Sequence, residues 1–361
     1  PVGLKHLNLK EESLLIKKRL AKEKGGDSGI SSSEGLKQLE GVSFSHLHNH
    51  SQFSILQSTT QIKELVNHAA KHNMPGVALT DSGNMMAAFH FVSAVSGHNK
   101  GVRARKKEAE EAGEEFNEQE ITPIVGCEFF VCNDHKNKEY KDNGYQVVFL
   151  AKNKKGYHNL AKLASLAYID GFYYVPRIDK ELVKQYKEDI IVLSGNLYGE
   201  ISSKILNVGE NQAEEALIWW KEQFGEDFYL EIMRHGQEDE DRANEVILKF
   251  SEKHDVKLVA TNNTYYLNKE DANAHDILLC VKDGELQSTP KGRGRGFRYG
   301  LENEEYYFKS QEEMKELFAD IPEAIINIQE MGIYWLAHWR IGLLRRGKWD
   351  FYSFIVGLGE S

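Results

Sequence analysis

The sequence predicts an α/β fold built on a mostly parallel sheet. Three observations carry that prediction. Short β-like runs recur at Val42–His48, Val77–Thr80, Ile124–Val131, Gln146–Ala151, Ile190–Ser194, Phe228–Met233 and Leu258–Thr261. Between them lie apolar stripes at helical spacing: Ile62, Leu65, Val66, Ala69 and Ala70, then Ala213, Ala216, Leu217, Trp220 and Phe224, then Ala243, Val246, Ile247 and Phe250. The two patterns also alternate along the chain, and repeated strand–helix alternation yields either an open doubly wound sheet or a closed barrel. Both architectures place reactive groups at the carboxyl ends of the strands, so the residues where each β-run stops are the ones to inspect.

Composition narrows the setting. Of 361 residues, 41% are hydrophobic, enough for a substantial core, and the net charge of −10 argues against a broad nucleic-acid-binding face. Cys127, Cys132 and Cys280 form a sparse, odd set that fits a reducing cytoplasm better than a disulfide framework. No charge-free run of about 20 apolar residues could span a bilayer, and the opening residues do not resemble a secretion signal. Starting at Pro1, the chain reads as beginning inside a longer protein.

Four segments are expected along it. Residues 1–41, with Gly25-Gly26-Asp27-Ser28-Gly29 and Ser31 to Ser33, read as a charged flexible linker, which fits a missing domain before it. Residues 42–285 carry the alternation, interrupted over 97–120 by a solvated charged insertion. Residues 286–331 form an extension. Residues 332–361, with Trp335, Trp339 and Trp349, form an atypical tail that reads as an artefact rather than a membrane-surface helix.

The richest local signal is Ser45-His46-Leu47-His48-Asn49-His50-Ser51. Residues two apart on a strand share a face, so three alternating histidines point to metal ligation more than to a hydrogen-bonded strand end. Asp81, in Thr80-Asp81-Ser82-Gly83-Asn84, and Glu128, in Gly126-Cys127-Glu128, are acids at strand ends. Each taken alone reads first as a cap or loop acid.

The run His46–Ser51 resembles the opening motif of the PHP (polymerase and histidinol phosphatase) family, in the version found in bacterial replicative polymerases. The resemblance continues in order. It takes in Asp81–Met85, Gly126–Glu128, Leu150–Asn153 with Gly156, Tyr157, Asn159 and Leu160, Gly171–Tyr174, and Pro176–Asp179. Val192–Gly195, Val259–Asn262, His275-Asp276 and Phe318–Ala324 complete it. It implies a distorted (β/α)7 barrel of the TIM-like kind, whose active members hold a multinuclear cluster of divalent metals at the barrel mouth. Carried over residue by residue, His48 and His50 match the first ligand pair and Glu128 the bridging acid. Elsewhere the match fails. Gln57 stands for an Asp or His, Ser82 for a His, Gln146 for a His, Asn196 for a Cys, Asn263 for an Asp and Tyr265 for a His. Carboxamides and hydroxyls add no negative charge and bind zinc-like ions poorly. No metal, or at most one zinc or manganese ion, is therefore expected.

The resemblance implies a scaffolding module of the polymerase, acting in DNA replication with the remainder of the alpha subunit. A proofreading exonuclease domain is a candidate partner, DNA is reached through the holoenzyme, and no membrane is involved. The competing reading is an active metal-dependent phosphoesterase or 3′–5′ exonuclease, which needs the full ligand set. A third places weak nucleic-acid binding on Arg293, Arg295 and Arg298, spaced by glycine beside Phe297. The plainer reading of that segment is a basic loop beside the barrel.

Overall fold

The computed structural model describes residues 30–292 and 294–332. Seven strands form its sheet: β1 (Gly76–Leu79), β2 (Thr122–Cys132), β3 (Tyr145–Ala151), β4 (Arg177–Asp179), β5 (Ile190–Leu193), β6 (Phe228–Ile232) and β7 (Leu258–Ala260). The hydrogen-bonded order is β1-β2-β3-β5-β6-β7, with β4 paired to the far end of β2.

An extended segment over 44–50 joins the two ends of this path. Ala78 and Thr80 of the β1 stave donate their N–H groups to the carbonyls of His46 and Asn49, each at 2.9 Å. On its other side, His50 N–H donates to Thr264 O at 2.9 Å and Thr264 N–H to His48 O at 3.1 Å, just beyond β7. The sheet therefore closes on itself, giving the distorted TIM-like barrel.

Parallel pairing holds for β1–β2, β5–β6 and β6–β7. One strand departs from the expected parallel sheet. β3 runs antiparallel to both β2 and β5, because β2 is long enough to fold back on itself through the 133–144 turn. The reversal brings the first residues of β3, rather than its last, to the mouth of the barrel.

The outer layer follows from the apolar stripes. Helices α1 (Ser32–Gln38), α2 (Ile62–Lys71), α3 (Ala88–Ala112), α4 (Lys154–Ile169) and α5 (Lys180–Tyr186) precede α6 (Glu200–Asn207), α7 (Glu210–Phe224), α8 (Glu238–His254), α9 (Ala272–Asp283) and α10 (Gln311–Leu317). Period two decides what each strand shows to which layer. Cys127 and Phe129 of β2 are buried, and Phe129 meets Phe149 edge-on at 5.3 Å, which in turn meets Trp220 of α7 at 6.1 Å. Glu128, between them, enters the barrel. Truncating one of these buried aromatics costs about 3–5 kcal/mol.

The charged insertion is the solvent-facing second half of α3, with Arg103–Glu120 and Arg105–Glu118 ion pairs tying it to the chain that returns to β2. Such exposed pairs contribute little.

Two segments at the edges pack onto the barrel. Within the segment expected as a linker, Ser32–Gln38 is helical, is N-capped by Ser31, and leads to Leu39, which is 1% exposed; residues 1–29 lie outside the described residues. The 286–331 extension packs back onto the barrel: Phe308, Phe318, Ile321, Ala324, Ile325 and Ile328 all belong to the core. Gln311 Oε1 accepts from Phe44 N–H at 2.6 Å and so ties the extension to the closing segment. Apart from Gly332, the atypical tail lies outside the described residues.

α1 docks through a glycine. A Cβ at Gly35 would lie 1.5 Å from Ala319 O, a backbone atom held between the buried Phe318 and Ile321. Gly35→Ala should therefore lift α1 from the extension and lower stability by about 1–3 kcal/mol. Urea denaturation of the two proteins measures the difference, and an unchanged midpoint would contradict this packing.

Candidate functional site at the barrel mouth

Strand ends deliver their side chains to one buried cluster. The closing segment supplies His48 and His50, the turn after β1 Ser82, β2 Glu128 and the start of β3 Gln146. The turn after β5 supplies Asn196, β6 Glu231, and the turn after β7 Asn263 and Tyr265. Gln146 reaches the cluster only because β3 is reversed.

Glu128, fully buried, is the hub. It accepts from Ser82 Oγ at 2.9 Å, from His48 Nε2 at 3.3 Å and from Asn196 Nδ2 at 3.4 Å. Asn196 Nδ2 also donates to Gln146 Oε1 at 2.9 Å. His50 Nε2 donates to Asn263 Oδ1 at 2.9 Å, and Nδ1 faces Ser54 Oγ at 3.2 Å and Ser82 Oγ at 3.3 Å, whose own protons go to Asp81 and Glu128. Tyr265 lies flat on the His50 ring, with centroids 4.4 Å apart. Five of the positions expected to have lost a metal ligand thus surround the two histidines and Glu128. Gln57 is the exception, since the only bonds it makes here run through its backbone, to Ser54 and His275.

Glu231 was not singled out in the sequence. Its Oε1 accepts from His48 Nδ1 at 2.8 Å and from the Thr261 hydroxyl, and its Oε2 accepts from Gly195 N–H at 2.9 Å. The available signal was an acid in the middle of the apolar run Phe228–Met233. Asp81, by contrast, holds the 51–54 turn, accepting from Ser51 N–H at 2.6 Å and Ser54 Oγ at 2.7 Å. That agrees with its plainer reading as a loop acid.

The two histidines carry different charges. Burial pushes the His48 imidazole toward neutrality, but the Glu231 and Glu128 carboxylates outweigh it and raise its pKa to about 9. His48 is thus an imidazolium bridging two carboxylates. Burial dominates at His50 and lowers its pKa, with Glu128 opposing. Glu128 itself stays ionised: burial works against it, but His50, His48 and Ser82 hold its pKa below the usual range.

The same groups could hold a metal ion. One donor atom from each of His48, His50 and Glu128 lies within 4.8 Å of the others, which matches the ligand set of a single ion. A histidine that gives its second nitrogen to a carboxylate, as His48 does to Glu231, is also the usual support of such a ligand. A single ion would have to displace the Nε2 proton of His48. A multinuclear cluster does not fit, because Ser82, Gln146, Asn196, Asn263 and Tyr265 are neutral and already hydrogen-bonded or stacked within the site.

Two sequence expectations are corrected. His46 does not join its neighbours: Nε2 meets Lys309 O at 2.8 Å and the ring packs between Phe44 and Phe308. Burial there lowers its pKa to about 3. Arg298 is not free to grip a phosphate, being 5% exposed and locked in a bidentate pair with Asp276 at 2.8 and 2.9 Å. Arg295 is exposed, and Arg293 lies outside the described residues.

Residues 46–235 match the model of the PHP domain family. The chain is 40% identical over 288 residues to the DNA polymerase III subunit alpha of Borreliella burgdorferi, covering 79% of this chain and 23% of that protein. It is 37% identical over 304 residues to the same subunit of Helicobacter pylori, and 35% over 299 residues to that of Campylobacter jejuni. Those matches cover 81% and 80% of this chain and 23% of each relative. The chain thus spans about a quarter of the length of these relatives. In three dimensions, an amidohydrolase from Chromobacterium violaceum aligns with 62% of this chain and 88% of its own, at a TM-score of 0.38 and 10% identity. That likeness is too low to bear on either fold or function.

Glu231→Gln should lower stability by about 3–5 kcal/mol, because it leaves the His48 charge half-compensated in a buried site. Chemical denaturation at pH 7 reads this directly, and a loss below the measurement error would show that Glu231 is not a partner of consequence. The His48 charge also sets a pH slope. Its pKa is raised on folding, so its contribution is complete below the unfolded value of 6.5 and is lost as pH rises toward 9. The His48 contribution, read as the difference in unfolding free energy between the wild type and His48→Gln, should fall by about 1–2 kcal/mol between pH 6.5 and 8, against the opposite slope of the buried neutral histidines such as His46 and His50. Wild-type and His48→Gln curves that run parallel across this window would contradict the bridge.

Proposed function

The chain belongs to the PHP family, and from that premise we propose that it is the PHP module of a replicative DNA polymerase III alpha subunit. It serves there as a scaffold whose metal centre has become a hydrogen-bonded polar core. The single observation that carries this reading is the wiring around Glu128. Where a hydrolytic cluster needs anionic and imidazole ligands, the mouth offers the Ser82 hydroxyl and the Asn196 carboxamide to Glu128 and the Asn263 carboxamide to His50, with His48 as the compensating cation.

The relatives named above support the polymerase context, and the share of their length that this chain matches makes the remainder of the alpha subunit its first partner. A proofreading exonuclease domain is the second, and DNA is reached through the assembled holoenzyme. The setting is cytoplasmic, consistent with three free cysteines and with no helix among the described residues long and apolar enough to cross a membrane. At the mouth the module holds no metal, or at most one zinc or manganese ion on His48, His50 and Glu128.

The alternative, a metal-dependent phosphoesterase or 3′–5′ exonuclease, draws on those same three donors. Ions close together repel unless bridged by carboxylate or hydroxide, and this mouth has one carboxylate positioned to bridge. The purified chain, supplied with manganese or zinc, should leave single-stranded DNA ends and model phosphodiesters intact, with no turnover above a His48→Gln control. Turnover that disappears in the control, or two or three ions retained at the mouth after dialysis, would overturn the scaffold reading.

A further inference from the structure

A second group of metal-binding side chains lies away from the mouth. Asp134 and His135 occupy the turn that leaves β2, and Asp179 ends β4 and caps α5 through Leu182 N–H at 3.0 Å. Parallel pairing of β2 with β4 sets Cys132 opposite Asp179, and this register brings the turn onto the end of β4. One donor atom from each of Asp134, His135 and Asp179 lies within 4.8 Å of the others. His135 and Asp179 are each 6% exposed, whereas Asp134 is open to solvent and gives an ion its way in. None of the three shares a hydrogen bond with the Glu128 network.

The charge balance at this spot is incomplete. Arg177, fully buried beneath the turn, is a candidate to neutralise the carboxylates. Its guanidinium instead donates to four carbonyls, those of Gly171 at 3.0 Å, Asp142 at 3.0 Å, His135 at 3.1 Å and Asn137 at 2.8 Å. It braces the turn without pairing with an acid. Among the described residues no lysine or arginine forms an ion pair with Asp134, Asp142 or Asp179; Asp179 accepts from the His135 imidazole and from the backbone N–H groups of His135 at 3.3 Å and Leu182 at 3.0 Å. Hydrogen bonds satisfy the Asp179 oxygens but no lysine or arginine offsets the charge of the two acids, and a divalent ion bound by two carboxylates and an imidazole would balance it.

We propose that Asp134, His135 and Asp179 form a second cation site at the rim of the barrel, taking one divalent ion of the zinc or manganese class. The ion would replace the hydrogen bond between His135 Nδ1 and Asp179 Oδ2, the imidazole proton moving to Nε2. Two carboxylate oxygens and one nitrogen leave further positions for water, which suits both metals. The site is independent of the scaffold reading of the mouth and uses none of its residues.

Manganese titration of the full chain, followed by loss of the free-ion electron paramagnetic resonance signal, tests it. Asp134→Asn is the main variant, because Asp134 is exposed and its replacement leaves the fold intact. It should weaken one manganese site by at least about tenfold, while His50→Gln leaves that site unchanged. Crystals soaked in zinc should show an anomalous peak within bonding reach of His135 and Asp179, and His135→Gln should abolish it. An Asp134→Asn protein that titrates like the wild type, or a soaked crystal with no peak at the rim, overturns the proposal. A single peak at the mouth alone also overturns it while leaving the scaffold reading intact, whereas two or three mouth ions overturn that reading instead.

Discussion

The structure depends on one buried chain of charge, Glu128–His48–Glu231. His48 sits on the segment that closes the barrel, Glu128 on β2 and Glu231 on β6, so the two bonds at 3.3 and 2.8 Å cross the interior and tie three separated staves together. Each carboxylate would be intolerable alone at this depth, and so would the imidazolium. Together they are compensated, and the remaining lone pairs are met by Ser82, Asn196, Thr261 and the Gly195 amide. The same arrangement explains why the neutral residues around it are carboxamides and hydroxyls rather than aliphatic groups. Apolar replacements would strand the oxygens of Glu128, and a half-satisfied polar network is worse than a dry core.

Much of this was legible in the sequence, and the parts that were not fail for identifiable reasons. Strand–helix alternation announces an α/β barrel because period two and period 3.6 leave different marks on the apolar residues. Neither period encodes strand direction, so Gln146–Ala151 reads as one more parallel strand and its reversal stays hidden. The alternation His46, His48, His50 correctly places the last two in one cluster. It fails for His46, because the chain that packs against that ring, with Phe308 and Lys309, comes from more than 260 residues away. Glu231 was overlooked for the opposite reason. The β-run around it was recognised, but a single acid inside an apolar run does not announce its partner. Glycine spacing offered Arg298 as a weak phosphate contact beside the plainer reading of a basic loop, and Asp276 on α9 claims its guanidinium.

The mouth and the rim show two ways of handling buried carboxylates within one chain. At the mouth a protein cation, His48, lies between the acids, so an incoming metal competes with a proton already in place. At the rim Arg177 is turned toward carbonyl oxygens, and Asp179 is met by the His135 imidazole and by the backbone N–H groups of His135 and Leu182. The difference comes from the backbone around each site. Strand ends at the mouth present regular N–H groups and leave side chains to pair with one another. The 133–144 turn instead presents carbonyls without ladder partners, and a guanidinium with its forked donors satisfies several of them at once. Bracing that turn is what removes Arg177 from the electrostatic balance of Asp134 and Asp179. A cation brought from solution can restore it, and a metal ion supplies the required two charges in the space of one.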